Sequence, residues 1–253
     1  MLITSVFAAI SAMSLSVLVV LVARWKARPA EGTLPNEGEK TAARVVTSIF
    51  VFSAAFLIVA AQASLSQARQ VTHAEASALR EAYWSAGWLA PQDKKRVREQ
   101  LQSYTQSVID DEWPEMRAGR ADPGNWDRLD HLRNSLISIA PSIDTVQQEA
   151  RRQVETSLRD VYTARRDRLA AADSGLSGPI VALLALGAVG TLLAISVSSL
   201  PGTRWVVLLL ASALVGFVMN LIFQIEHPFQ GDLSIDPSVY REAIARFRQI
   251  STA

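Results

Sequence analysis

Several groups of side chains in this chain have the types and spacing to do chemistry. Asp110, Asp111, Glu112 and Glu115 fall on adjacent turns of a helical stretch, where grouped carboxylates could share a cation. On a helix they span different faces and no Asn- or Gly-rich calcium loop accompanies them, so the pattern predicts a solvated acidic surface. His73, His131 and His227 are far apart and none belongs to an H-E-x-x-H pattern, which argues against a zinc site. His227, beside Pro228, could titrate near neutral pH at a membrane mouth; the plainer reading is a turn histidine. Lys94, Lys95, Arg96 and Arg98 read as a solvated helix start, without the broad basic face that a nucleic-acid partner requires. Arg165, Arg166 and Arg168 lie close to an apolar stretch and are better candidates for lipid headgroups or small anions. Cysteine is absent, which excludes disulfides, thiolate catalysis and zinc–thiolate sites. No G-x-S-x-G, phosphate-binding glycine loop or dinucleotide fingerprint occurs, so the expectation is a non-enzyme with no cofactor and no metal.

The elements that must position these residues follow from how charge is distributed. The chain has 253 residues, 49% of them hydrophobic, and its charges are missing from four long stretches: 1–23, 45–68, 174–203 and 205–225. A hydrocarbon core of roughly 30 Å needs about 20 apolar residues in a helix, which satisfies its own backbone hydrogen bonds. Transmembrane spans are therefore predicted near Ile3 to Ala23, Val45 to Leu65, Ile180 to Leu200 and Trp205 to Ile225. The first lacks the basic n-region and cleavage site of a signal peptide and reads as an anchor. The spans hold no Asp, Glu, Lys or Arg, which leaves no intramembrane proton relay. They do hold small and hydroxylated residues, among them Thr47, Ser48, Ser53, Gly187, Gly190, Thr191 and Ser212. Close helix packing accounts for most of these, and the remainder could line a neutral polar pore.

Between the second and third spans the pattern is helical throughout. Span two is expected to continue out of the bilayer as a stalk, since neither Gly nor Pro follows Ser66 until Gly87. Pro91 opens a helix whose Val97, Leu101, Tyr104, Val108, Ile109 and Trp113 keep helical spacing, and Pro114 is placed to kink or end it. Another helix carries Trp126, Leu129, Leu132, Leu136 and Ile137 and stops before Pro141. The next begins near Ser142 and runs through Val146, Val154, Leu158, Val161, Tyr162 and Leu169 toward span three. After span four, Glu226 to Asp232 is turn-rich, and Asp236-Pro237 starts a final helix with Val239, Tyr240, Ala243, Ile244 and Phe247 along one side.

The expectation is an all-α integral membrane protein in which two pairs of spans flank a helical soluble domain, formed partly by extensions of spans two and three. Its parts are a first pair with a basic loop (1–65), the soluble domain (66–177), the second pair (178–225) and a C-terminal tail (226–253). Arg24, Lys26, Arg28, Lys40 and Arg44 crowd the first loop, whereas no basic residue precedes span one. By the positive-inside rule that loop is cytoplasmic, which puts the N-terminus, the soluble domain and the C-terminus on the exoplasmic side.

Four segments carry a family resemblance: Glu75 to Arg80; Tyr104 through Asp111-Glu112-Trp113-Pro114 with Gly119; Arg165 to Leu169; and His227-Pro228-Phe229-Gln230-Gly231-Asp232-Leu233. The Glu-Trp-Pro and Pro-Phe-x-Gly-Asp elements together are the more specific part. In them the chain resembles the bacterial bestrophin-like family of unknown function over almost its full length. The resemblance implies kinship with bestrophins, homopentameric anion channels with two pairs of spans around a helical soluble region. It marks Glu112, Trp113, Pro114, Arg165, Arg168, His227, Pro228, Phe229, Gly231 and Asp232 as family-motif or pore and anion-site candidates. The expected partners are the lipid bilayer, further copies of the chain and small anions. The competing expectation is a non-conducting membrane scaffold or sensor whose helical domain binds an envelope component or partner protein.

Overall fold

The structure, a computed structural model, describes residues 37–120, 124–173, 178–198, 204–230 and 234–252. The predicted first span, the basic cluster at Arg24, Lys26 and Arg28, and the motif residues Gly231 and Asp232 lie outside the described residues.

Helix α1 runs from Glu37 to Ser85, uninterrupted because no proline or glycine occurs between Gly38 and Gly87. A 3-10 turn at Ala86–Trp88 ends it, and Pro91, whose ring is preset for a first helical turn, opens α2 (Pro91–Ser107). A π turn, Val108–Glu112, links α2 directly to α3 (Trp113–Arg117). Then come α4 (Gly124–Ile137), α5 (Thr145–Asp173), α6 (Gly178–Ser198), α7 (Arg204–Glu226) and α8 (Ser238–Thr252). No strand occurs among the described residues, in keeping with an all-α chain.

Around Pro114 the regular helix is interrupted: α2 stops at Ser107, the π turn follows, and the short α3 carries helix three residues past the proline. In the π turn the Trp113 N–H bonds the Val108 carbonyl, and the missing N–H of Pro114 falls in the first turn of α3, where a donor is dispensable. The stop comes at Gly119, with φ 74°. There the Gly119 N–H reaches the Met116 carbonyl at 3.1 Å and the Arg120 N–H the Glu115 carbonyl at 2.9 Å, a left-handed cap that glycine adopts without steric cost.

The described chain forms two compact units. The first comprises α1 up to Ala63 together with α6 and α7. Among the described residues α1 is the one helix long and apolar enough to cross a membrane, and two shorter apolar stretches lie at Ala182–Ile195 and Leu210–Ile222. Their inner faces pack as a cluster of Phe50, Leu184, Ala188, Leu192, Val215 and Ile222. Close approach depends on small residues: a Cβ on Gly187 would lie 3.4 Å from the Phe50 ring, and one on Gly190 3.6 Å from Val46. The hydroxyls of Thr47 and Thr191 bond carbonyls four residues back in their own helices, so their polarity is satisfied locally. Large apolar side chains on the other faces are bare, Phe52 77% and Phe56 74% exposed among them.

The second unit contains α1 from Ser64, α2 to α5, residues 228–230 and α8. Each helix buries one stripe. On α1 it is Leu65, Ala68, Thr72, Glu75, Leu79 and Ala82, in alternating steps of three and four residues, and Ala86 of the following 3-10 turn continues it. On α5 it is Val154, Leu158, Val161, Arg165 and Arg168. Leu129, Leu132 and Leu136 of α4 and Val239, Tyr240, Ala243, Ile244 and Phe247 of α8 complete the core. Burying each large apolar side chain stabilises by about 1.5–3 kcal/mol. Ile137 and Val146, counted with the apolar faces in the sequence, are exposed instead, because each sits in the first or last turn of its helix beyond the packed stripe.

Candidate functional site: a buried charge cluster

In the second unit the stripes carry charges where a core residue would sit. Glu75 on α1, Glu112 at the end of the π turn, and Arg165 and Arg168 on α5 have side chains 0% exposed. Arg168 is the bridge: its Nε donates to Glu75 Oε2 at 2.8 Å and its Nη2 to Glu112 Oε1 at 2.9 Å. Its Nη1 points at Met116 Sδ, 2.9 Å away. Arg165 Nη1 donates to Glu112 Oε2 and to the Tyr104 hydroxyl, which in turn donates to Glu75 Oε1 at 2.7 Å. The Tyr240 hydroxyl of α8 donates to Glu75 Oε2 at 2.9 Å. Asn125 of α4 donates to Glu112 Oε2 at 2.6 Å while its own oxygen accepts from Ser107 and Arg128, both at 2.7 Å.

Aromatic faces close the cluster. The Arg165 guanidinium lies 4.8 Å from the Trp126 ring centre, and that of Arg168 lies 5.5 Å from Trp113 and 5.7 Å from Tyr240. Trp113 is held by its indole N–H on the Ile235 carbonyl at 3.2 Å and by the edge of Phe229, ring centres 5.5 Å apart.

Two carboxylates and two guanidiniums cancel formally, so the interior carries no net charge there. Burial pushes the Glu112 carboxyl up, but Arg168, Arg165 and the Asn125 hydrogen bond outweigh it and hold the group below its ordinary range. Burial, reinforced by Glu75, drives the Tyr104 hydroxyl well above its ordinary value. Burial does the same for Tyr240, with Arg168 opposing. For Arg168, burial disfavours the charge, and Glu75 heads the partners that more than restore it. Across neutral pH, therefore, Glu112 is anionic, Arg168 cationic and both tyrosines are donors. Every carboxylate oxygen already accepts a hydrogen bond, and the arginines supply the positive charge a metal would bring, so these residues do not fit a metal ion. The chemistry of the arrangement is positioning: α1, α2, α4, α5, α8 and the π turn are locked at one point.

Two expectations from the sequence are corrected here. Glu112 is not part of a solvated acidic surface; it continues the buried stripe of Leu101, Tyr104 and Val108, while Asp110 and Asp111 are exposed. Arg165 and Arg168 do not face lipid headgroups or free anions: they follow Val154, Leu158 and Val161 on the buried face of α5 and pair with glutamates, leaving Arg166 exposed. Trp113 is buried and Pro114 exposed. Pro228 and Phe229 are buried, Phe229 against Trp113, whereas His227 is half-buried in the first unit. Glu75, Tyr104, Asn125 and Tyr240 were not singled out as site residues. The available signal was a polar residue at a position that the three-and-four spacing assigns to the core.

The fold thus gathers onto one cluster residues from all the segments that carry the family resemblance: Glu75, Tyr104 with Glu112-Trp113, Arg165 with Arg168, and Phe229. The chain matches the family model of the Bestrophin-like domain over residues 8–240. It belongs to the Bestrophin-like family. No curated protein and no solved structure matches it. In this Bestrophin-like chain the Glu-Trp-Pro and Pro-Phe elements meet as a packed pair, Trp113 on Phe229.

Proposed function

We propose that the chain is a subunit of an oligomeric membrane channel, built from four transmembrane helices per subunit, that passes small anions. Membership of the Bestrophin-like family across residues 8–240 carries this reading. The bare apolar faces of α1, α6 and α7 support it, since Phe52, Phe56, Leu183, Leu186, Leu210 and Leu214 need lipid or another subunit as cover. In this reading α1, α6 and α7 are spans two, three and four, residues 3–23 are span one, and the helical unit with both termini is exoplasmic, as the basic first loop requires. Spans without acids or bases conduct through hydroxyl and backbone dipoles rather than through fixed charge. Purified full-length protein in liposomes should give chloride and iodide flux that scales with protein content. Vesicles no leakier than protein-free controls, with the protein shown to be inserted, would refute it.

A second reading, a non-conducting scaffold or sensor, is favoured by one observation: the family-motif residues Glu112, Trp113, Arg165, Arg168 and Phe229 are spent in the interior of the helical unit. Protein that is silent in liposomes and co-purifies from its membrane with one stoichiometric envelope partner would favour this reading over the channel.

A further inference from the structure

On the outer side of α4 and α5 lies a cavity of about 400 Å³ that the charge cluster does not use. Its rim holds three arginines: Arg133 from α4, and Arg159 and Arg166 from one face of α5. Leu136 and Leu158 underlie it but are almost fully buried, so its open apolar surface comes mainly from Ile137, 61% exposed at the edge. Tyr162 stands between the arginines, its hydroxyl tied to Asp130 and its ring 5.8 Å from the Arg133 guanidinium. Among the described residues none of the three arginines takes part in an ion pair. The one carboxylate in the lining, Glu155, is already matched by Arg151 at 3.5 Å.

We propose that this groove binds a phosphate monoester carried on an apolar stem, with the phosphate among Arg133, Arg159 and Arg166 and the stem against Ile137. Guanidinium groups match phosphate oxygens with paired N–H donors, and they bear less hydration than an ammonium. A phosphate monoester brings a charge of about −1.5 to −2 and three acceptor oxygens, one for each arginine, where a carboxylate brings a single charge and two oxygens. The apolar edge at Ile137 distinguishes this cavity from a plain anion site and calls for an amphiphile rather than a bare ion. The inference is independent of whether the chain conducts.

The test is calorimetric titration of the full-length protein in non-ionic detergent with dihexanoyl phosphatidate, a soluble phosphate monoester with short acyl stems. Dihexanoyl phosphatidylcholine and inorganic phosphate serve as the arms lacking the monoester and the stem. Saturable phosphatidate binding is expected, weakened at least about tenfold by Arg159→Gln with Arg166→Gln, as the loss of charge-assisted hydrogen bonds dictates. Both arginines are exposed and form no ion pair among the described residues, so this variant should keep its thermal midpoint, and Lys94→Gln with Lys95→Gln, the same change in net charge elsewhere, should leave binding unaltered. Equal weakening by the two variants, or none by the arginine pair, overturns the site. Inorganic phosphate binding as tightly as phosphatidate overturns the stem and assigns the groove to free phosphate.

Discussion

Replacing Arg168 by Met removes the cation that bridges Glu75 and Glu112 at 2.8 and 2.9 Å, and it keeps most of the side chain's volume. Two carboxylates then remain buried with Arg165 alone, and the interior gains one uncompensated negative charge. Removing one partner from a buried pair costs about 3–5 kcal/mol, because the other is left charged in a medium that solvates it poorly. That is a large share of the roughly 5–15 kcal/mol that holds a typical domain together. Urea unfolding of the full-length protein in non-ionic detergent, followed by tryptophan fluorescence, measures it, since Trp113 lies against Arg168. The loss should also depend on pH. Without Arg168 the buried carboxylates lose a compensating cation, so the folded state tolerates their ionised forms less well than it does with Arg168 in place. The deficit therefore shrinks as they become protonated and is smaller near pH 5 than near pH 8. Adding Glu75→Gln restores the charge balance, and the double variant should be more stable than the sum of the singles by about 0.5–3 kcal/mol. A deficit under about 1 kcal/mol that does not change with pH would mean that water reaches the cluster, and it would refute the dehydrated arrangement.

The intact cluster makes its own pH predictions. The Glu112 pKa is lowered in the fold from 4.5, so its contribution is present above that value and lost as pH falls through the folded pKa; Glu112→Gln should flatten the acid limb of a stability–pH curve. Tyr104 and Tyr240 have raised values, so their contribution is complete below pH 10.0 and lost as pH rises beyond it, an alkaline limb that Tyr240→Phe should weaken in thermal scans. The same Tyr240→Phe change leaves Glu75 short of a donor and should cost about 1–3 kcal/mol in the urea assay. In the first unit, Gly187→Ala should be tolerated, because its new Cβ meets Phe50 at 3.4 Å, whereas Gly187→Leu should cost about 1–3 kcal/mol, read as a lower thermal aggregation temperature in detergent.

Helices were legible where side-chain period and backbone punctuation agreed. The run without glycine or proline from Ser66 foretold the long α1, Pro91 its successor, and Asp236-Pro237 the start of the C-terminal helix. The charge cluster was not legible, because apolar periodicity counts Val154, Leu158 and Val161 but passes over Arg165 and Arg168, which continue the buried face of α5. Burial of those arginines depends on Glu75 and Glu112, which lie 93 and 53 residues away along the chain and meet them only through tertiary packing. Near Pro114 the regular helix does break, but as a π turn just before the proline, a form of interruption that the sequence does not specify. The pairing of Trp113 with Phe229 was present in the sequence as two co-occurring motifs, but nothing in either one states that they touch.

The reading of the chain as an anion channel stands or falls on a reversal potential. Full-length protein incorporated into a planar bilayer between unequal potassium chloride solutions should pass current that reverses near the chloride equilibrium potential. Current that reverses near the potassium potential would contradict anion selectivity. A bilayer that stays silent although the inserted protein is recovered from it would contradict conduction altogether.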